Sequence, residues 1–215
     1  MLINISFLGQ TLYDLWDWSF SASGWTSSPN VGSLITTCGE QIIGGNPIVG
    51  GGVSVSKTYS LGPHYGTLTI SFKAFFIDTW DDEWLYLYVD NNLVWSEKRD
   101  MSSFPSNICG VSYADLAVYR ITNPIAHTAH TITLKFDSNL DSPGNNEAYG
   151  FKDIIIAYKP CYSTCNYCTG PLHTDCTACT GSLKLYNGQC INPCPDGWYA
   201  SANVCYQCYV STTSP

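Results

Sequence analysis

Charge is scarce in this 215-residue chain. Asp, Glu, Lys and Arg make up only 12% of it, against about 25% in ordinary soluble domains. Nine basic residues face 17 acidic ones, for a net charge of -8, and no Lys/Arg cluster occurs. Phosphate backbones need such clusters, so the sequence argues against nucleic-acid binding. Long stretches of Ala, Glu, Lys and Leu are missing, which argues against a helical fold. No stretch approaches 18 apolar residues, so no membrane-spanning helix is expected. There is no G-x-S-x-G nucleophile motif and no EF-hand loop, and the four histidines are scattered. The glycine-rich run GEQIIGGNPIVGGG, residues 39–52, lacks the G-x-G-x-x-G spacing. It reads as a loop rather than a phosphate cradle.

Cysteine is nearly absent from the first 159 residues, which hold two of the eleven; the last 56 hold nine. That asymmetry divides the chain. Residues 1–10, MLINISFLGQ, read as the end of a signal peptide or as a first strand. Residues 11–159 form a body, and residues 160–215 a cysteine-rich module. The module has only three charged side chains, Asp175, Lys184 and Asp196, and few aliphatics. Such a segment cannot build a core and must be cross-linked.

The body reads as β throughout. In GTLTISFKAFFI, Leu68, Ile70, Phe72, Ala74 and Phe76 alternate with Thr67, Thr69, Ser71 and Lys73. That is the pattern of a half-buried strand. WLYLYVD puts Leu85, Leu87 and Val89 inward, and Asp90-Asn91-Asn92 then supplies a hairpin turn. TITLKF puts Ile132, Leu134 and Phe136 inward; FKDIIIAY closes the body; VSVSKTYS and LAVYRI are further strands. The fold class expected is all-β, a jelly-roll or β-sandwich domain followed by a small disulfide-rich module.

The module's cysteines are Cys161, Cys165, Cys168, Cys176, Cys179, Cys190, Cys194, Cys205 and Cys208. Four thiolates at 165, 168, 176 and 179 can bind zinc. Disulfide rungs account for the other five as well and place the chain in an oxidising compartment. Nine is odd, so one cysteine lacks a local partner. Cys38 and Cys109, alone in the body, are expected to pair. The runs Cys165-Asn-Tyr-Cys168, Cys176-Thr-Ala-Cys179 and CINPCPDGWYA resemble furin-like, growth-factor-receptor-type repeats. That resemblance implies a disulfide ladder, with Cys205 and Cys208 opening a further repeat and the natural chain continuing.

Two acid-rich loops interrupt the strands. DTWDDE carries Asp78, Asp81, Asp82 and Glu83; the loop at 137–150 carries Asp137, Asp141, Asn145, Asn146 and Glu147. Hard cations take oxygen ligands on loops, and a jelly roll can bring two such loops to one end. Asp78, Asp81, Asp82, Glu83, Asp141, Asn146 and Glu147 are therefore candidate calcium ligands. The competing reading is a solvated turn whose acids confer solubility and block edge pairing. Adjacent Asp81 and Asp82 face opposite ways on a strand, which argues against a glycosidase carboxylate pair. His127 and His130 form a weak H-x2-H metal motif. Trp84, Tyr86 and Tyr88 share the strand face opposite Leu85 and Leu87, an aromatic stripe able to stack on sugars or pack on another subunit. Burial on both faces is the alternative.

The body also resembles a domain of large secreted and surface proteins of ciliates, where it precedes furin-like repeats. The matching blocks are Gly24-Trp25, TTCGEQIIGG, GPHYGTLTISFKAFFIDTWDDEWLYLYVDNNLVW and FDSNLDSPGNNEAYGFKDIIIAY. The acid segments are more weakly similar to elements of MAM-like adhesion domains. The resemblance implies a non-catalytic secreted or cell-surface protein. Its partners would be glycans, other extracellular proteins, or copies of itself in a filament or coat. A carbohydrate-active enzyme using Asp and Glu, or the ectodomain of a membrane receptor, are the alternatives.

Overall fold

The computed structural model describes residues 22–208. The segment 1–10 read as a leader or first strand lies outside them. The sandwich strands are β1 (Thr26–Ser28), β2 (Ile35–Cys38), β3 (Glu40–Gly44), β4 (Ser54–Ser60), β5 (His64–Asp78), β6 (Asp81–Val89), β7 (Asn92–Asp100), β8 (Leu116–Ile121), β9 (Ile125–Ala126), β10 (Thr131–Ser138) and β11 (Glu147–Pro160). The cysteine-rich module adds β12 (Cys165–Cys168), β13 (Cys176–Cys179), β14 (Lys184–Tyr186), β15 (Gln189–Ile191), β16 (Trp198–Ser201) and β17 (Val204–Gln207).

Two antiparallel sheets form the sandwich. One runs β1-β4-β10-β6-β7 and the other β2-β3-β11-β5-β8, with β9 also on β5. The inward residues are those the alternation marks. Leu68, Ile70, Phe72, Ala74 and Phe76, then Leu85, Leu87 and Val89, then Ile132, Leu134 and Phe136, are all buried. Burial of each large apolar side chain contributes about 1.5–3 kcal/mol. At the centre Phe136 stacks on Phe151 at 4.0 Å, and Phe72 meets Phe136 edge-on at 5.1 Å. The end of β5 is buried on both faces. Phe75 and Ile77 pack outside the sheet with Ile42, Ala148 and Cys38. This explains why FFI breaks the alternation.

The segment 39–52 is not simply a loop, as its glycines imply. Glu40–Gly44 is β3, paired with β2 and β11. Ile42 and Ile43 are buried there, and Glu40 bridges Lys73 and Lys152 on the outer surface. The glycines allow close backbone approach instead. A Cβ on Gly50 would meet Gly144 at 2.4 Å, and one on Gly51 would meet the Leu140 carbonyl at 2.4 Å. The 140–147 loop therefore rests directly on this strip.

On the open side, Glu97 of β7 pairs with Arg99 and with Arg120 of β8. This cluster ties the edge strand of one sheet to that of the other. The β6–β7 hairpin turns at Asp90 and Asn91, with φ of 47° and 67°, the left-handed region that suits Asn and Asp.

Cys38 is joined to Cys109. In the module the pairs are Cys161–Cys168, Cys165–Cys176, Cys179–Cys190 and Cys194–Cys205. Cys165, Cys168, Cys176 and Cys179 are thus all oxidised and offer zinc no thiolate. Cys208, expected among the disulfide cysteines, is a free, exposed thiol here, because the odd count leaves it no partner. The module seats on the sandwich through the Cys161 amide, which donates to the Pro63 carbonyl, and through His130, which stacks on Tyr167 at 4.7 Å.

The Cys38–Cys109 bond closes a loop of 71 residues. Its double replacement by Ala is expected to lower unfolding free energy by about 4 kcal/mol, read from urea denaturation. An unchanged midpoint would contradict a stabilising role.

Candidate functional site

The chain crosses from one sheet to the other twice at the same end of the sandwich. The first crossing joins β5 to β6 through Thr79 and Trp80; the second joins β10 to β11 through 139–146. The ladders make the crossings neighbours. Glu147 opposes Asp78 in one sheet, and Ser138 opposes Leu85 in the other. Trp80 plugs the first crossing. It is fully buried, edge-on to Phe76 at 4.9 Å, with its indole N–H donating to the Ala148 carbonyl at 2.9 Å.

The neighbouring crossings bring Glu83, Asp141 and Glu147 together. One carboxylate oxygen of each lies within 4.8 Å of the others. Glu83 and Glu147 are buried and Asp141 is exposed. Glu83 accepts the Asp81 amide at 2.5 Å, and Glu147 accepts the Ser142 amide at 2.6 Å. Burial, together with the charge of Glu147 and Asp81, pushes the Glu83 carboxyl up to about 7. Burial, then the charges of Asp141 and Asp81, raises Glu147 as well. Such a group can either share a proton or hold a hard divalent cation, since its donors are all oxygen.

The other acids go elsewhere, and the solvated-turn reading fails for two of the four in DTWDDE. Asp78 is buried. It accepts the Val111 amide at 2.9 Å and the Asn46 side-chain amide at 3.1 Å, and burial raises its pKa. It anchors a loop and stays outside the three-carboxylate group. Glu83 is buried within that group. Asp81 and Asp82 are exposed. Asp82 is the extra residue where the β6–β7 register shifts, with φ of 84°, and pairs with Lys98 at 3.2 Å. Asn146 is exposed and contributes its carbonyl to Thr79. Asp115, which sequence reasoning passed over, is buried and accepts the amides of Asp78, Ile108 and Cys109. It lies near Cys38 and Cys109, but a disulfide supplies no metal ligand.

The H-x2-H motif does not converge. His127 bonds to His64 and Asp90, while His130 turns to the Asn166 carbonyl and Tyr167. An odd spacing and a strand boundary separate them.

The aromatic stripe faces outward on β6. Trp84 is 37% exposed, and Tyr86 and Tyr88 are half-buried. Trp84 and Tyr86 lie 6.5 Å apart with planes 6° from parallel, and Tyr88 follows at 6.2 Å. Lys135 on β10 sits over Tyr88 at 4.4 Å and pairs with Asp137 at 3.1 Å. Beyond it, Thr58 of β4 and Thr133 of β10 share a hydrogen bond at 2.8 Å. The result is a sheet face with an aromatic row beside hydroxyls and one ion pair. Burial on both faces, the alternative for β6, does not occur. Two cavities of 340 and 330 Å³ lie elsewhere, one at the junction by Pro63 and Tyr158, one beside Trp25 and Leu34. Neither is lined by a carboxylate.

The chain matches no protein-family model and no curated protein. It is similar to solved β-sandwich structures at low identity. The xylan-binding module CBM15 is 14% identical, over 71% of this chain and 100% of that one, with a TM-score of 0.42. The CBM36-1 domain of a multidomain xylanase from the hindgut metagenome of Trinervitermes trinervoides is 10% identical, over 71% and 99%, with a TM-score of 0.36. Dimeric latent PorU from Porphyromonas gingivalis is 16% identical over 49% of this chain, at a TM-score of 0.37, and the match spans 10% of the PorU chain. These are similarities of all-β architecture.

Proposed function

We propose that this chain is a non-catalytic extracellular binding protein whose sandwich holds a glycan on the Trp84/Tyr86/Tyr88 face, carried on a furin-like disulfide stalk of the ciliate surface-protein type. The observation that carries the reading is the aromatic row on the outward face of β6, with Trp84 exposed and Tyr86 and Tyr88 half-buried. Aromatic faces and edges pack against the C–H surfaces of sugars, and nearby hydroxyls and an ion pair supply directional contacts. Five disulfides support the oxidising compartment. Three pairs share a sequence separation of 11 residues, which supports a repeating stalk. Burial of Glu83 and Glu147, each already accepting a backbone amide, supports a structural rather than catalytic use of the acids.

Within this reading Glu83, Asp141 and Glu147 bind calcium at the end of the sandwich. The cation would neutralise carboxylates that otherwise repel one another. It would fix the two crossings from which β6 and β11 start.

Two outcomes follow. On a glycan array, Trp84→Ala and Tyr86→Ala weaken the bound glycan about tenfold each, on the order of 1.4 kcal/mol. Their melting temperatures stay near wild type, because both side chains face outward. No binding by wild type, or equal binding by Trp84→Ala, would contradict the assignment. The second outcome concerns pH. The folded state keeps a proton on Glu83 that the unfolded chain releases above 4.5. Without metal, the contribution of Glu83 to stability is therefore fully present below pH 4.5 and is lost as pH rises through about 7. Calcium at about a hundredfold excess over its Kd raises the melting temperature by roughly 5 °C or more at pH 7.5, and far less at pH 4.5. Glu83→Gln removes that response; a response that survives the substitution would rule the site out.

A further inference from the structure

The opposite end of the sandwich holds a hydrogen-bonded chain that the glycan reading does not use. His64 opens β5 and is 1% exposed. Its Nδ1 lies 2.8 Å from the Gly62 carbonyl, and its Nε2 lies 3.0 Å from Nδ1 of His127. The Nε2 of His127 lies 3.1 Å from Oδ2 of Asp90. The two rings are within 7° of parallel with centroids 5.3 Å apart. With a nitrogen–nitrogen distance of 3.0 Å, they are joined edge to edge rather than face to face.

Proton counting decides the state of this chain. A carbonyl and an ionised carboxylate only accept. The terminal contacts therefore each require an N–H on the ring that faces them. The contact between the rings requires one more. Two neutral imidazoles carry two N–H groups in all, one short of the number needed. We propose that His64 and His127 form a proton-binding pair with one shared positive charge, countered by Asp90, and that this proton secures the seat of the disulfide module.

The surroundings place the charge. Burial, with the like charges of His127 and His130, holds the His64 pKa below the usual imidazole range, and the Gly62 bond only partly opposes this. His64 is thus the neutral ring, protonated at Nδ1, and the charged ring is the one beside the carboxylate. Asp90 is fixed for the task by the hairpin. Its Oδ1 accepts the Thr133 amide at 2.8 Å, and its own amide donates to the Thr133 carbonyl at 2.9 Å. The remaining face of His64 meets the Tyr158 ring at 5.0 Å. His130 is the other titratable neighbour; its charge opposes a second proton on His64.

The pair lies where the module joins. His64 opposes Pro160 in the β5–β11 ladder. The Pro63 carbonyl, one residue away, accepts the Cys161 amide at 2.9 Å. Three residues past His127, His130 stacks on Tyr167 of the module. The three-bond chain exists only with the proton bound. Its contribution is therefore present in mild acid and lost as pH rises through the titration of the pair.

Long-range proton–nitrogen NMR of the histidine rings in the full chain tests this, in wild type and in Asp90→Asn. Asn tolerates the turn and keeps an oxygen for the Thr133 amide. In mild acid the wild type should show His127 protonated on both nitrogens and His64 on Nδ1 alone. Asp90→Asn should release the proton about one pH unit lower. Exchange of the Cys161 amide, corrected for its intrinsic pH dependence, should accelerate about tenfold as the pair deprotonates. Two neutral rings at every pH where the chain is folded would overturn the proposal. So would an unchanged titration in Asp90→Asn, or Cys161 exchange that follows only the intrinsic dependence.

Discussion

Two tight passages between the sheets, side by side at one end, set the terms for the sandwich. Tight passages strand backbone N–H groups away from any ladder, and a buried N–H without a partner costs about 1–3 kcal/mol. Carboxylates take these groups. Asp115 accepts the Asp78 amide, Glu83 the Asp81 amide and Glu147 the Ser142 amide. In a chain with so few charges, acids are spent inside. The consequence is electrostatic: gathering Glu83, Asp141 and Glu147 within 4.8 Å creates a repulsion that a proton or a cation must relieve.

The same passages position the outer face of β6. Once Trp80 is buried and Glu83 turns inward, strict alternation sends Trp84, Tyr86 and Tyr88 outward. The bulge at Asp82 sets that phase, since a one-residue slip would exchange the two faces. The carboxylate group and the aromatic row thus share one strand: its first residues belong to the former and its remainder carries the latter. At the far end the same strand turns through Asp90, which faces the histidine pair.

Much of this was legible in the sequence. Period-2 alternation in 67–76, 85–89 and 132–136 assigns inward and outward faces that the coordinates share. The shift from aliphatics to cysteines near 160 marks where the last sandwich strand gives way to cross-linked hairpins. What alternation cannot encode is which sheet the next strand joins. Asp78-Thr79-Trp80-Asp81 has the look of a solvated hairpin turn, yet it crosses the sandwich and buries Trp80 and Asp78. Gly50 and Gly51 were similarly opaque. Their role is backbone contact with the 140–147 loop, which depends on a partner nearly a hundred residues away. His64 carried little local signal, because His127 and Tyr158, which face its ring, come from distant segments.

The central claim is that the outer face of β6 is the binding face. Chemical-shift mapping of the indole N–H groups during a glycan titration addresses it most directly. The account predicts that the Trp84 indole shifts in proportion to occupancy while the buried Trp25 and Trp80 indoles hold still. A titration that moves other resonances and leaves Trp84 unmoved would contradict it.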